Sequence, residues 1–151
     1  MGIEIEKKYL VKNSSFKKLA VERHRIIQGY LSRNPERTVR VRIKDKQGFF
    51  TVKGITKGDT RTEFEYVIPY TDALELIKLC ESPIIDKIRY IVPSGDLSWE
   101  IDEFNADLEG LILAEIELPS SETEYEIPPF IGREVTGDPQ YYNSNIHMCC
   151  K

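Results

Sequence analysis

Six short segments of the chain carry ionised side chains on every second residue, with an apolar residue between them everywhere but at Lys7. They are Glu4-Ile5-Glu6-Lys7-Lys8, Arg40-Val41-Arg42, Glu63-Phe64-Glu65, Lys87-Ile88-Arg89, Glu100-Ile101-Asp102 and Glu115-Ile116-Glu117. Alternation with period two is the signature of a β-strand, whose successive side chains point to opposite faces. Each segment therefore turns two or three charges one way and buries Ile, Val or Phe on the other. The rest of the pattern adds neighbours. Residues 2–10 read as a strand, followed by a short helix through Phe16 and Leu19 that Asn13 or Ser14 can cap. Strands follow at 24–31, 38–44, 49–53 and 62–68, with a hairpin turn at Lys46-Gln47-Gly48. Thr71-Asp72 opens a helix over 73–80 with Leu74, Ile77, Leu79 and Cys80 on its apolar side, ended by Pro83. Further strands are expected at 85–92, 97–104 and 111–118, and one short helix near 141–146. The fold predicted is α+β, mainly β: about eight mostly antiparallel strands with a few external helices, in a single domain over 1–151.

An eight-stranded sheet tends to close into a barrel, and closure gives the charged face an interior to line. By parity that face carries eight carboxylates, Glu4, Glu6, Glu63, Glu65, Glu100, Asp102, Glu115 and Glu117. It also carries six cations, Lys8, Arg40, Arg42, Lys53, Lys87 and Arg89. A solvated sheet face usually mixes signs and includes Thr, Ser, Gln and Asn; here the signs are sorted strand by strand. Like charges on neighbouring strands repel. An isolated buried ion costs several kcal/mol even after relaxation, so a dry core of these groups is untenable. A water-filled interior with a charged ligand in it is tenable. Arg offers phosphate oxygens a planar fork and Lys a point charge. Clustered carboxylates suit hard divalent cations such as Mg2+ or Mn2+. Together these are the equipment of phosphoryl transfer, which relies on positioning and charge neutralisation rather than on a dedicated nucleophile. None is evident here: neither His24 nor His147 stands in a motif with Ser or Cys, and there is no G-x-x-x-x-G-K loop.

Composition narrows the classes. A chain of 151 residues can bury a core without disulfides or a structural metal. Its 25 acids against 21 bases leave a net charge of −4, which gives no reason to expect a nucleic acid partner. Cys80, Cys149 and Cys150 lack zinc-ligand spacing and read as reduced thiols. Nothing approaches the ~20 apolar residues of a membrane span, and a strand begins at once where a leader would lie. The cytoplasm is the expected compartment.

Glu4-Ile5-Glu6-Lys7-Lys8 resembles the N-terminal E-x-E-x-K signature of the CYTH superfamily, the triphosphate tunnel metalloenzymes. Gln28-Gly29-Tyr30-Leu31, Val39-Arg40-Val41-Arg42, Val52-Lys53-Gly54, Glu63-Phe64-Glu65, Lys87-Ile88-Arg89-Tyr90, Trp99-Glu100-Ile101-Asp102 and Ala114-Glu115-Ile116-Glu117-Leu118 follow in the family's order. Residues 132–138, Tyr142 and Asn143 resemble its C-terminal segment. The resemblance implies an eight-stranded antiparallel barrel whose lumen binds a small-molecule triphosphate with divalent metal, Mg2+ or Mn2+, as two ions. Carried over by matching position, Glu4, Glu6, Glu115 and Glu117 would be the core metal ligands, assisted by Glu63, Glu65 and Asp102. Lys8, Arg40, Arg42, Lys53, Lys87 and Arg89 would hold the triphosphate, with Arg133 near one tunnel mouth. Glu4, Glu6, Lys8, Glu115 and Glu117 form the expected catalytic set.

The passage from Gln28-Gly29-Tyr30-Leu31 into Thr38-Val39-Arg40-Val41-Arg42 is similar to compact bacterial members, many of them tripolyphosphatases. Inorganic tripolyphosphate is therefore the expected substrate. The alternatives are a thiamine or nucleoside triphosphatase, a class IV-type adenylate cyclase, and a non-catalytic polyphosphate- or nucleotide-binding module. Tyr30 reads either as a substrate contact or as core. Trp99, Phe64, Tyr66, Ile88 and Tyr90 read as outward-facing core beneath the helices. The chain departs from the family after Asn143, where a short tail would leave that end of the tunnel more open. The resemblance allows a homodimer, for which no exposed apolar stripe is evident in the sequence.

Overall fold

Alternating strands close the chain on itself in a computed structural model that describes residues 2–146. The expectations for His147, Cys149 and Cys150 fall outside the described residues. The strands are β1 (Gly2–Val11), β2 (Glu22–Ser32), β3 (Arg37–Lys44), β4 (Gln47–Gly54), β5 (Thr60–Ile68), β6 (Glu81–Ser94), β7 (Leu97–Phe104) and β8 (Ile112–Glu117). They run in the order β5-β4-β3-β2-β6-β7-β8-β1, and β1 pairs back onto β5 to complete an eight-stranded antiparallel barrel. A ninth strand, β9 (Ile131–Glu134), pairs with the second half of β1 on the edge that β5 leaves open. The sequence pattern missed it because four residues in a proline-containing tail are too few to set up an alternation.

Apolar side chains pack on three sites around and inside this wall. Outside β1, β6, β7 and β8, a 3₁₀ turn at Ser14–Lys18 seats Phe16 against Tyr90 and Phe130 in a cluster that includes Trp99. Outside β2, β3 and β4, helix α1 (Tyr70–Ile77) covers Val41, Ile43 and Phe50 with Ala73, Leu76 and Ile77. The third cluster is inside the barrel: Tyr30, Ile85, Phe104 and Leu113 meet Val135, Tyr141 and Ile146 of the C-terminal segment. That segment fills one end of the barrel, contrary to the expectation of a more open end. The opposite end, where β5 and β8 finish, leaves Glu65, Val67 and Glu117 exposed and opens the interior to solvent.

Several local expectations are corrected. Helix α1 starts at Tyr70, three residues before the expected 73, and stops at Ile77. The Lys78 N–H bonds to Glu75 and Leu76 carbonyls, tightening the last turn, so the helix has ended well before Pro83, which lies inside β6. The β3–β4 turn falls on Asp45-Lys46, not on Lys46-Gln47-Gly48. Asp45 takes φ 55°, which a short side chain able to bond locally tolerates. Gly48 is needed in the strand instead, since a Cβ there would lie 2.7 Å from the Cβ of Ala73 on α1. In the tail, a 3₁₀ turn at Pro139–Tyr141 and irregular turns replace the helix expected at 141–146. Trp99 and Tyr90 are buried as expected, whereas Phe64 and Tyr66 are 45% and 60% exposed because no helix covers β5. Ile3, paired opposite Thr62 and so on the same outward face, is also exposed, an apolar stretch that the sequence pattern did not anticipate. Among the described residues no helix is long and apolar enough to cross a membrane.

Candidate active site

The inward positions of the strands surround a cavity of about 270 Å³. Cross-strand register pairs its charges. Lys8 lies opposite Glu115, Lys53 opposite Glu63, Arg89 opposite Asp102 and Glu4 opposite Arg61. Two pairs bring like charges together: Glu6 opposite Glu117 and Glu100 opposite Glu115. Carboxylates from β1, β5, β7 and β8 thus crowd one wall, facing the cations of β3, β4 and β6.

On the acidic wall, Lys53 Nζ donates to both Glu4 oxygens at 3.0 Å and lies 3.3 Å from Glu63. Oxygens of Glu4, Glu63 and Glu117 all come within 4.8 Å of one another. Burial, then the charges of Glu4, Glu63 and Glu100, pushes the Glu117 carboxyl up to about 7. Glu6 is also pushed well above the ordinary carboxylate range, by burial and then by Glu115 and Glu4. Glu115 goes the other way: burial would raise it, but Lys8, Arg89 and Lys87 outweigh that and hold it low. Mutually repelling hard oxygens, already drawing an ammonium between them, are a donor set that fits a divalent cation.

On the basic wall, Arg40 donates through Nη2 to Thr51 Oγ1 and Glu65, each at 3.3 Å, while its buried Nε meets no partner. Arg42 has no carboxylate within ion-pair distance among the described residues. Burial, followed by the charges of Arg40 and Arg89, pulls its guanidinium down to about 9. A crowded pair of guanidiniums with one carboxylate, Glu65, between them presents a site for an anion.

The structure brings most of the sequence-predicted residues together: Glu4, Glu6, Glu63, Glu65, Glu115, Glu117, Lys8, Arg40, Arg42, Lys53 and Arg89 all line the cavity. Three predicted residues do not. Asp102 is 1% exposed and Lys87 fully buried. Arg89 grips Asp102 through Nε at 2.7 Å and Nη2 at 2.8 Å, and Lys87 Nζ reaches it at 2.7 Å. Burial would raise Asp102, but these two cations hold it at about 2. Both its oxygens are engaged behind the cavity lining, which leaves none to offer a metal. Arg133 is exposed on β9 and is absent from the lining. Tyr30 packs in the inner apolar cluster, the core reading, and also lines the cavity.

Sequence reasoning overlooked Lys44 and Arg61, which line the cavity and continue the parity of Arg40-x-Arg42 and Glu63-x-Glu65. Arg61 Nε lies 3.5 Å from Glu4. Thr136 and Gly137 of the C-terminal segment, and Thr56, Gly58 and Asp59 of the β4–β5 loop, also reach the cavity; no alternation could have announced them.

A closed antiparallel barrel whose lumen sets clustered carboxylates against clustered cations is the architecture of a triphosphate tunnel. The CYTH domain model matches residues 2–143, and the chain belongs to the CYTH family. An inorganic triphosphatase of Acetivibrio thermocellus is 46% identical over 147 residues, covering 97% of this chain and 94% of the relative. An inorganic triphosphatase of Nitrosomonas europaea is 33% identical over 151 residues, covering 96% and 97%. A solved inorganic triphosphatase structure matches with a TM-score of 0.67 at 30% identity, over 96% of this chain and 97% of that one. A protein from Pyrococcus horikoshii, at 20% identity and TM-score 0.63 over 78% and 79%, shares the fold.

Proposed function

We propose that the chain is a metal-dependent triphosphatase that hydrolyses inorganic tripolyphosphate to pyrophosphate and orthophosphate inside the barrel. The observation that carries this reading is the pair Arg40 and Arg42, short of carboxylate partners, facing a carboxylate cluster across one small cavity. The names of the two relatives support it. So does size: about 270 Å³ lies at the lower limit of the ~300–1,000 Å³ typical of ligand pockets, which favours a bare phosphate chain over a nucleotide.

Glu4, Glu63 and Glu117 would hold the metal, with Glu6 and Glu115 beside them. Bound Mg2+, or Mn2+, as one or two ions, supplies charge neutralisation at phosphate oxygens and a more acidic bound water. Arg40, Arg42, Lys53 and Arg89 bind and orient the triphosphate. Water adds to the terminal phosphorus as its bond to the bridging oxygen breaks, and the cations stabilise the charge gathering on departing pyrophosphate. Lys8, anchored at Glu115, holds the end of the chain nearest the C-terminal segment. Asp102 touches no substrate in this account; it fixes Arg89 and Lys87 in place. Glu65 does the same for Arg40, directly and through Thr51.

The test is orthophosphate release from tripolyphosphate, ATP and thiamine triphosphate, each with Mg2+, Mn2+ or EDTA. EDTA-sensitive release fastest from tripolyphosphate is expected. Faster release from ATP or thiamine triphosphate would replace the substrate assignment, cyclic nucleotide from ATP would mark a cyclase, and binding without release would mark a binding module. Arg40→Ala should raise KM about tenfold or more with a smaller effect on kcat, as loss of a charge-assisted contact to bound substrate requires.

A further inference from the structure

Two cavity-lining cations, Lys8 and Arg42, and the buried Lys87 behind them are held by the C-terminal segment, directly or through one intermediary. Lys8 Nζ donates to the Tyr141 carbonyl at 2.9 Å, and the Lys8 backbone N–H donates to Thr136 Oγ1 at 2.9 Å. Lys87 Nζ donates to Asn143 Oδ1 at 3.0 Å. Arg42 reaches the same oxygen indirectly: its Nε donates to Gln28 Oε1 at 2.8 Å, and Gln28 Nε2 donates to Asn143 Oδ1 at 3.4 Å. Gln28 is fully buried between them.

The direction of this chain of bonds is set by chemistry. Arginine and lysine can only donate. Gln28 must therefore turn its oxygen to Arg42, which leaves its amide nitrogen for Asn143. Asn143 must then present its oxygen to Gln28 and to Lys87 alike. A neutral amide pair can do this where a carboxylate would be ill suited, because it holds Arg42 in place without neutralising it, while Lys87 is paired with Asp102. Arg42 keeps its full charge for an anion in the cavity.

We infer that Asn143 is a positioning residue of the active site, which sets Arg42 through Gln28 for contact with the phosphate chain and anchors the buried Lys87 behind it. The inference rests on the triphosphatase reading of the cavity. It makes the C-terminal segment part of the active site and not only a filling for one end of the barrel.

A double-mutant cycle between Gln28→Met and Asn143→Ala tests it, read as KM and kcat for tripolyphosphate with Mg2+ and as Kd for tripolyphosphate in EDTA. Gln28→Met keeps the buried volume and removes both bonds. Each single variant should raise KM and Kd about tenfold with kcat changed far less, the scale of one hydrogen bond to a charged group. The double variant should lose about the same tenfold and not roughly a hundredfold, because both substitutions cut one relay. Asn145→Ala, which removes a bond to the Pro139 carbonyl in the same segment, should lower Tm and leave KM unchanged. Multiplying losses, an unchanged KM, or an equal rise in KM from Asn145→Ala would overturn the assignment. Absence of turnover in the unaltered protein with a coupled Kd cycle would sink the triphosphatase reading and leave the positioning role standing. Turnover with an additive cycle would do the reverse.

Discussion

Individual carboxylates in this barrel do opposite things because their neighbours differ. Asp102 is held ionised by Arg89 and Lys87, whereas Glu117 is pushed up to about 7 by burial and by Glu4, Glu63 and Glu100. For Glu117 the folded value lies above the ordinary one, so in metal-free protein its ionisation costs stability as pH rises from about 4.5 through about 7. Glu117→Gln should therefore raise the Tm of EDTA-treated protein at pH 8 by roughly 2–4 °C, about 1 kcal/mol for a chain of this size. The gain should shrink to a small fraction at pH 5, near the lower end of that window, and saturating Mg2+ at pH 8 should reverse it. Thermal melts at the two pH values check this; a lower Tm for the variant at pH 8 in EDTA would contradict the crowding of Glu117. Strand parity made nearly all of these residues legible in the sequence. Depth was not legible: Asp102 shares the parity of Glu100, yet its pairing with Arg89 and Lys87 draws it behind the wall, and only the barrel's register reveals that.

Elements were legible where a periodic pattern was long enough to declare itself. All eight barrel strands run over six or more residues, and the sequence reading found each. Strand β9 and the bonds made by Asn143 depend on contacts across the whole chain, with Tyr9 pairing to Glu134 and Gln28 bonding to Asn143, so no local signal could announce them. Helix α1 was found but displaced, since its position is set by packing on β4 and not by a capping side chain. That packing gives a prediction at this scale. Gly48→Ala would drive a methyl to 2.7 Å from Ala73 Cβ and 3.1 Å from the Ile68 carbonyl, prying α1 from the barrel. A loss of about 1–3 kcal/mol is expected from such overpacking, with kcat and KM of the folded protein unchanged because α1 covers the outside of the wall. Calorimetry beside steady-state kinetics checks both halves. An unchanged Tm would show that α1 is not seated on Gly48.

At the scale of the whole molecule, closure is what makes the charges useful. An open sheet would leave the same side chains solvated and weakly interacting, whereas the barrel encloses cations and carboxylates where water screens them less and their attractions strengthen. The sorting of sign by strand becomes two facing walls only when β1 meets β5. The sequence implied a barrel through its count of strands. It could not say that the C-terminal segment fills one end, because the family signature stops at Asn143 while Ile146 is part of the inner apolar cluster. The account stands on the claim that one wall takes metal and the other takes phosphate. Crystals grown with Mn2+ and a non-hydrolysable imido analogue of tripolyphosphate test it most directly through anomalous scattering. The expected result is Mn2+ ligated by Glu4, Glu63 and Glu117, the phosphate chain on Arg40 and Arg42, and Lys53 turned from Glu4 toward phosphate. Mn2+ bound outside the cavity, or a phosphate chain that avoids Arg40 and Arg42, would contradict it.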